Sequence, residues 1–360
     1  MRKYKVGILG ATGTVGQKFV SLLKDHPWFE IKVLAASKRS KDKKYREILE
    51  QKTVDNINQF DKHILDMKIL DVINDAQKIA NSVDFVFCAV NMSKKDTKEL
   101  EELYAKLECP VISNNSANRQ VPDVPMIIPE INPEHTEIIP VQQKRLNTKR
   151  GFIAVKSNCS IQCYVPALHV LKNYGLKSVL VCTYQAISGA GRDFKTWPDM
   201  IDNIIPYING EEEKSEQEPL KIWGKICDNK IINADLPNIT SQCLRVPVTD
   251  GHTAAVFVTL EQKIHINQII NLWNNYVPEI QKLNLPSSPE KFLTYYHEED
   301  MPQIKSAREI YNGMGITIGR LRSDSQYDMK FVSMSHNTVR GAAGGAILLA
   351  ELLCAKNYIS

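Results

Sequence analysis

The chain has 360 residues, of which 43% are hydrophobic and 24% are charged, and its formal net charge is +4. This composition is typical of a globular protein with room for two domains, and it excludes an intrinsically disordered chain. The sequence has no basic patch with interleaved aromatic residues and no apolar run of membrane-spanning length, so it predicts neither nucleic-acid nor membrane binding.

Eight cysteines are scattered along the sequence. None belongs to a C-x-x-C pair, and none has a histidine nearby at metal-ligand spacing, so we expect no metal site and no disulfide framework. The N-terminus enters a predicted strand within a few residues, which leaves no room for a signal peptide. These features predict a cytoplasmic protein with reduced thiols.

The first predicted strand, Tyr4–Leu9, leads directly into a glycine-rich turn and then a helix. The turn has the G-x-x-G-x-x-G form of the dinucleotide-binding pattern. In such a turn Gly10 allows the tight bend, Gly13 lets a pyrophosphate approach the backbone, and Gly16 lets helix and strand pack closely. The residues predicted to bind a dinucleotide here are Gly10, Thr12, Gly13, Thr14, Val15 and Gly16.

The second predicted strand, Ile31–Ala36, is followed by Ser37, Arg39 and Ser40. A fold specific for NAD usually carries an acidic residue at this point, where it binds the ribose 2′-hydroxyl. Hydroxyl and guanidinium groups suit a 2′-phosphate instead. The sequence therefore predicts NADP(H) rather than NAD as the cofactor.

Strands and helices alternate up to about residue 150, with further strands at Asp84–Val90 and Pro110–Ser113 around a helix at Lys94–Lys106. This order predicts an α/β fold with a Rossmann-like, doubly wound domain over residues 1–150. Longer strands then predict an α+β catalytic and dimerisation domain with a large mixed sheet over residues 151–338. We expect the final helix, in residues 339–360, to pack back and complete the nucleotide-binding domain.

Cys159 is the candidate nucleophile. It lies in the segment Ser157–Ser160, between a predicted strand at Phe152–Val155 and a predicted helix over residues 161–173. Free N–H groups and the positive end of a helix dipole at such a turn lower the pKa of a thiol. The sequence therefore predicts a reactive thiolate at this position.

His252, at the entrance to a predicted strand, is the candidate acid/base. Arg245 is a candidate carboxylate anchor, and Arg119 is a candidate anion binder at the end of an earlier strand. Gln185 and the turn at Ser188 and Gly189 end the strand after the cysteine. A nucleophilic cysteine beside a nicotinamide implies attack of the thiolate on an aldehyde or an activated acyl group, hydride transfer to or from the nicotinamide, and a thioester as the other state of the cycle.

Taken together, these motifs resemble the aspartate-β-semialdehyde dehydrogenase family, in its archaeal and fungal branch, over essentially the whole chain. The segments that carry the resemblance are Gly10–Gly16, Ser157–Ser160, Gln185–Gly191, Glu218–Ile222, Arg245 with His252, and His336–Ala346. The resemblance implies NADPH as cofactor, phosphate as a partner, a homodimer or homotetramer, and reduction of β-aspartyl phosphate to the semialdehyde.

The resemblance also implies roles for single residues. Cys159 is then the nucleophile, His252 the acid/base, Gln185 an orienting group, and Arg245 the ligand of the α-carboxylate. The residues implied to bind the rest of the ligands are Glu218 for the substrate ammonium, Lys221, Arg119 and Asn115 for phosphate, and Ser188, Gly189 and Asn337 for the cofactor. From position alone, we expect Asn158 and the Cys159 N–H to stabilise an oxyanion.

Three alternatives stay open on the sequence. N-acetyl-γ-glutamyl-phosphate reductase runs the same chemistry on an acylated substrate, and malonyl-CoA reductase is a relative of the archaeal branch. Neither needs a carboxylate to bind a free ammonium, so Glu218 argues against both. The third is a non-catalytic NADP-sensing scaffold, which the fold alone does not exclude; the joint presence of Cys159, Gln185, Arg245 and His252 argues against it.

Overall fold

Two β-sheets form the framework of the molecule, which is known from a computed structural model that describes residues 3–52, 57 and 60–360. The strands are β1 Tyr4–Leu9, β2 Phe29–Ala36, β3 Leu70–Asp71, β4 Phe85–Cys88, β5 Val111–Ser113, β6 Met126–Ile127, β7 Ile153–Lys156, β8 Leu176–Gln185, β9 Lys225–Cys227, β10 Lys230–Ile232, β11 Asn238–Arg245, β12 His252–Leu260, β13 Leu293–Tyr295, β14 Ile316–Ser323 and β15 Met329–Ser335. The helices are α1 Thr14–Leu22, α2 Tyr45–Gln51, α3 Lys62–Leu65, α4 Ala76–Ala80, α5 Lys94–Lys106, α6 Ile139–Leu146, α7 Val165–His169, α8 Glu211–Ile222, α9 Ile266–Asn274, α10 Ile304–Ala307 and α11 Gly344–Ala355.

The first sheet has seven parallel strands in the order β3-β2-β1-β4-β5-β7-β6. Strands such as β4 are buried along their whole length, as expected when helices cover both faces of a parallel sheet. The strand order reverses between β1 and β4, which creates a crevice beyond the carboxyl ends of these strands. This confirms the predicted Rossmann-like fold and places the glycine turn after β1 at the crevice.

The first sheet extends further along the chain than expected. β7 pairs with β5 and β6, so Ile153–Lys156 belong to the first sheet although the predicted boundary fell after residue 150. All strands of this sheet point the same way. The segment that follows β7, which carries Cys159, therefore begins at the same edge as the glycine turn.

The second sheet is mixed, as predicted, with the order β11-β8-β12-β15-β14-β13. Its centre is antiparallel, and the edge pairs β11 with β8 and β13 with β14 are parallel. The sequence did not predict β11, because its residues alternate between exposed polar and partly buried positions at an edge. The register aligns Arg245 at the end of β11 with Gln185 at the end of β8, which places both beside the crevice.

The predicted continuous helix after Cys159 is wrong. The chain forms a 3₁₀ turn at Ile161–Cys163, then the five-residue helix α7, then a second 3₁₀ turn at Lys172–Tyr174. Pro166 lies in the first turn of α7, where its missing N–H is tolerated, and it prevents a longer helix from running through this point. Cys159 therefore does not lie at the end of a long helix dipole.

The segment after β15 closes the molecule. Val339–Ala343 form a wide π-type turn, and α11 follows. The apolar side chains of α11, among them Ile347, Leu348 and Leu352, share one hydrophobic cluster with Val6 of β1 and Ile112 of β5. α11 thus covers one face of the first sheet together with α1, although it follows that sheet by almost two hundred residues.

Two further properties of the described residues bear on function. None of the helices in this part of the chain is long and apolar enough to cross a membrane. All eight cysteines are free thiols, and the described residues contain no group of three or more histidine, cysteine or acidic side chains arranged to hold a metal ion.

Candidate active site

The structure brings Cys159 and His252 together where the two sheets meet. Cys159 follows the last strand of the first sheet, and His252 is the first residue of β12 in the second sheet. The Cys159 Sγ lies 3.4 Å from the His252 Nε2 and 3.4 Å from the Asn158 Oδ1. The pair predicted from the sequence is therefore within hydrogen-bonding reach, although the two residues are 93 positions apart.

The histidine ring is oriented by the backbone. The Ala186 N–H donates to the His252 Nδ1 at 3.1 Å, so the proton of the neutral ring resides on Nε2 and points at the sulfur. Burial lowers the pKa of His252, the positive charge of Arg245 adds to this effect, and together they bring it to about 3. His252 is therefore neutral at pH 7 and acts as a hydrogen-bond donor toward Cys159.

Because the folded protein keeps His252 neutral, its stability depends on pH. Between about pH 6.5 and 3, the unfolded chain binds a proton that buried His252 does not, so the free energy of unfolding is expected to fall as the pH falls. This residue alone contributes a slope of up to about 1.4 kcal/mol per pH unit. Urea unfolding at several pH values is expected to show that the free energy of unfolding depends less steeply on pH in His252→Asn than in the wild type. The same dependence on pH in both proteins would contradict a buried neutral histidine.

The Cys159 thiol itself differs from the sequence prediction. Burial raises its pKa, the carboxylate of Glu211 raises it further, and the cations Lys156, Arg119 and Arg245 oppose both effects. The predicted helix dipole does not compensate, because the helix is short and broken. The expectation of a lowered thiol pKa from backbone and helix alone is therefore wrong, and nearby cations are needed to stabilise a thiolate.

Arg245 and Gln185 lie next to this pair. The Arg245 Nη1 donates to the Ala186 carbonyl at 2.7 Å, and the guanidinium is buried beside the histidine. A Cβ at Gly189 would lie 2.9 Å from the Arg245 Nη1 and 3.2 Å from the His252 ring, so a side chain there would press on both groups. The predicted turn at Ser188 and Gly189 thus packs directly on Arg245 and His252.

A carboxylate that the sequence reasoning missed also reaches the site. Glu211, the first residue of α8, accepts hydrogen bonds from the Asn158 Nδ2 at 2.7 Å and the Gln185 Nε2 at 3.3 Å. Its second oxygen accepts from the Lys214 Nζ at 2.6 Å. The helix carries the E-x-x-K pattern twice, at Glu211 and at Glu218. The two copies are seven residues apart and therefore lie on one face of the helix. The first copy, at Glu211, is the one beside Cys159.

The second copy of the pattern is used differently. Glu218 is almost fully buried and forms an ion pair with Arg119, whose Nη1 lies 2.9 Å from its Oε1. Its Oε2 accepts the Asn158 N–H at 2.6 Å. Arg119 also donates to the Lys156 carbonyl and the Asn114 carbonyl, each at 2.9 Å. This ion pair therefore fixes the backbone on which Cys159 is carried.

Two of the predicted phosphate ligands point into the protein. The Lys221 Nζ donates to the carbonyls of Arg119, Val121 and Val124 within 2.9 Å, which uses all three of its protons. The Asn115 Nδ2 donates to the Cys88 Sγ and the Glu101 Oε1, each at 3.4 Å. Neither side chain has a donor left for phosphate in this geometry, so the structure does not bring them to Cys159.

The glycine turn after β1 fits a dinucleotide. A Cβ at Gly13 would meet no protein atom closer than the Gly10 carbonyl oxygen at 3.5 Å, so packing within the protein does not require glycine there. The open space lies at the N-terminus of α1, where an anionic pyrophosphate is favoured. The residues present, including Thr12, Thr14 and Val15 on the same turn, therefore fit the predicted cofactor.

A second turn lies across the nucleotide crevice. A Cβ at Gly191 would lie 3.8 Å from the Thr14 Oγ1, so the turn of Ser188–Gly191 approaches the glycine turn closely. Asn337 supports it, because its Nδ2 donates to the Ser188 Oγ at 2.9 Å and its Oδ1 accepts the Gly251 N–H at 2.7 Å. The residues predicted for the cofactor thus form one continuous wall between Thr14 and His252.

The predicted 2′-phosphate group of residues lies at the far end of the crevice. Ser37 precedes a 3₁₀ turn that contains Arg39 and Ser40, directly after β2. Lys52, which the sequence reasoning missed, reaches the Thr12 carbonyl at 2.6 Å. Burial lowers the pKa of Lys52, and the positive charge of Arg39 adds to this, so the two cations lie near one another. Together they suit a doubly charged phosphate.

Known proteins resemble this chain over almost its whole length. The sequence family described as "Semialdehyde dehydrogenase, NAD binding domain" matches residues 5–139, and the one described as "Semialdehyde dehydrogenase, dimerisation domain" matches residues 167–340. Aspartate-semialdehyde dehydrogenase from Archaeoglobus fulgidus is 41% identical and covers 99% of this chain and 100% of its own. The Aspergillus fumigatus enzyme is 37% identical, with 99% of each chain covered. The crystal structure of the Candida albicans enzyme with NADP superposes with a TM-score of 0.87 at 33% identity, over 99% of this chain and 100% of that chain.

Proposed function

Because this chain belongs to the aspartate-semialdehyde dehydrogenase family, we propose how its own residues carry out the reaction of that family. The enzyme reduces L-4-aspartyl phosphate to L-aspartate 4-semialdehyde with NADPH and releases phosphate, a step toward lysine, threonine and methionine. The observation that supports the residue assignment is the contact of the Cys159 Sγ with the His252 Nε2, at the point where the dinucleotide crevice meets the second sheet.

Cys159 is the nucleophile. Its thiolate attacks the acyl carbon of the substrate, a C–S bond forms, the C–O bond to phosphate breaks, and a thioester remains on the enzyme. NADPH, when bound, supplies the hydride that reduces this thioester. The oxyanion of each tetrahedral adduct is stabilised by the His252 Nε2–H and by the Cys159 N–H, which has no hydrogen-bond partner among the described residues. The C–S bond then breaks, and the aldehyde and the thiolate are released.

The two charged groups at the other end of the substrate have matching partners. Arg245 is buried beside His252 and suits the α-carboxylate, which its guanidinium can bind in a bidentate manner. Glu211 lies beside Asn158 and Gln185 and is the carboxylate best placed for the substrate ammonium, whereas both oxygens of Glu218 are already occupied. We therefore assign ammonium recognition to Glu211 rather than to Glu218.

Arg119 is the remaining candidate for the substrate phosphate. Each of its Nη atoms donates one hydrogen bond within the protein, so each keeps one proton for a ligand. It lies at the end of β5, at the same edge of the sheet as Cys159. A guanidinium there neutralises the leaving group as the C–O bond breaks.

Phosphate-dependent reduction of NADP tests this function in the reverse direction. The purified protein is expected to turn over L-aspartate β-semialdehyde in the presence of phosphate, and to leave N-acetyl-glutamate γ-semialdehyde unconverted because that substrate lacks the free ammonium. Reduction of malonyl-CoA with NADPH serves as the second comparison. Preferred conversion of either alternative, or NADP binding without any turnover, would contradict the assignment.

Arg39→Asp tests the proposed 2′-phosphate site. Reversing this charge is expected to weaken NADPH binding by about 100-fold, equivalent to about 2.7 kcal/mol, because a charge-assisted hydrogen bond is replaced by repulsion. NADH binding is expected to change by less than about threefold. Nucleotide fluorescence titration measures both. Lys43→Asp, which makes the same charge change on the same loop, is the matched control, and equal losses for both nucleotides would refute the site.

The second sheet offers a surface for a second copy of the chain. One face of β8 and β12 stays partly exposed in the monomer. It carries the cross-strand pairs of Leu180 with Phe257 and of Cys182 with Ala255. Together with the matching dimerisation family, this face supports a homodimer, which light scattering can measure.

The free thiols support a reducing, cytoplasmic location.

A further inference from the structure

The structure leaves one step of the reaction without an evident group, namely removal of the thiol proton. Burial raises the pKa of Cys159, so a thiolate needs a compensating charge. His252 does not accept the proton in this geometry, because its Nδ1 accepts the Ala186 N–H and its Nε2 already carries the ring proton. The short, broken helix after Cys159 adds little.

Lys156, three residues before Cys159, is a cation that the fold buries next to this thiol. It is the last residue of β7 and is 1% exposed. Its Nζ donates to the Ser157 carbonyl at 2.9 Å, which is the only partner found for it among the described residues, so two of its protons are unused. A fully buried ammonium with so few partners is costly unless an anion lies nearby.

One turn of the closing segment packs over both residues. A Cβ at Gly341 would lie 2.8 Å from the Cys159 Cβ, and a Cβ at Gly345 would lie 2.8 Å from the Lys156 Cε. The two glycines are four positions apart and face the same way. The same segment therefore packs on both residues, so the thiol and the ammonium lie under one turn of the chain.

The charges around Lys156 are paired with one another. Arg119 forms an ion pair with Glu218, and Arg340 forms one with Glu130. Within the described ranges, no carboxylate oxygen lies within 4 Å of the Lys156 Nζ. The ammonium is thus a buried cation in excess, and Cys159 is the neighbouring group that can become an anion.

We propose that the Lys156 ammonium is the counter-ion of the Cys159 thiolate: the S–H bond of Cys159 breaks, the proton leaves to the solvent that reaches the partly exposed thiol, and the buried positive charge of Lys156 stabilises the sulfur anion. The proposal rests on the assignment of Cys159 as nucleophile. Burial lowers the pKa of Lys156 to about 7, and the Cys159 thiolate is the strongest influence that raises it. Lys156 is in turn the strongest cationic influence that lowers the pKa of Cys159.

The other groups that face this pair do not exchange protons near neutral pH. Burial and the charge of Arg245 hold the pKa of His252 at about 3. Burial raises the pKa of the Glu211 carboxyl, but its partners, Lys214 foremost, keep that pKa below its usual value. Arg119 is held in its ion pair with Glu218, and Arg340 in its ion pair with Glu130. Between about pH 6 and 9, the proton equilibrium of the site is therefore that of Lys156 and Cys159.

Alkylation of Cys159 by iodoacetamide as a function of pH, followed by mass spectrometry of the cysteine peptide without substrate or cofactor, tests the proposal. At pH 7, Lys156→Met is expected to react at least about tenfold more slowly than the wild type, because its thiol titrates at least about one pH unit higher. Lys156→Arg, which restores the charge, is expected to react within about threefold of the wild type. Lys172→Met removes another partly buried lysine, whose Nζ donates to the Trp223 carbonyl, and is expected to leave the profile unchanged.

A rate for Lys156→Met within about twofold of the wild type overturns the proposal. If that variant does not fold, the ultraviolet absorbance of the thiolate decides the question in the wild type, measured against Cys159→Ser over a pH series. Thiolate that forms below about pH 9 supports the counter-ion, and thiolate that forms only above about pH 9 refutes it. A failure of the proposed function gives a different result, because Cys159→Ser would then retain turnover.

Discussion

Turnover is expected to fall by at least about 1000-fold when Cys159 is replaced by serine, because a serine hydroxyl in this site is far less ionised and forms no thioester. NADPH binding is expected to stay within about twofold of the wild type, since the glycine turn and the Ser188–Gly191 turn do not change. Steady-state kinetics and fluorescence titration measure the two effects.

Cys163→Ser is the matched control for this prediction. Cys163 is fully buried four residues further along, and its Sγ contacts the Ser160 carbonyl rather than the cleft. The control is expected to keep turnover within about threefold of the wild type. Near-normal activity of Cys159→Ser, or equal losses in both variants, would show that the thiol at 159 is not the reacting group.

The second large effect separates the two glutamates of α8. Glu211→Gln is expected to raise KM for L-aspartate β-semialdehyde by about 100-fold, because a neutral amide binds an ammonium far less well than a carboxylate does. Its stability is expected to change little, since an amide oxygen still accepts from Asn158.

Glu218→Gln is expected to behave in the opposite way. It leaves the buried Arg119 guanidinium without its counter-charge, and this lowers the free energy of unfolding by about 3 kcal/mol or more. Urea unfolding and substrate titration of both variants distinguish the roles. A large KM effect in Glu218→Gln without a loss of stability, combined with normal kinetics of Glu211→Gln, would restore the assignment of ammonium binding to Glu218.

The sequence predicted those parts of the site whose signal is local. The turn Gly10–Gly16 follows a strand and begins a helix, and this short-range pattern is sufficient to place it at the crevice. Cys159 and His252 were predicted because each stands beside a strand end. Their contact, across the junction of two sheets, is a property of the packing that no spacing in the chain encodes.

The errors in the sequence prediction concern burial. The E-x-x-K pattern occurs twice in α8, and the sequence reasoning assigned the ligands to the second copy, Glu218 and Lys221, because the pattern alone does not show which copy faces the substrate. Burial of Glu218 and Lys221 under the neighbouring backbone decides this. Lys156 was overlooked for the same reason, because a lysine that ends an apolar strand gives no sign in the sequence that its charge is enclosed.

The position of α11 has a consequence for the order of events during synthesis. One face of the first sheet stays only partly covered until residues 344–355 have left the ribosome, and Cys159 lacks its contact with Gly341 until that residue has emerged. The nascent chain therefore carries an incomplete nucleotide domain through most of its translation, with apolar surface of the first sheet exposed to aggregation.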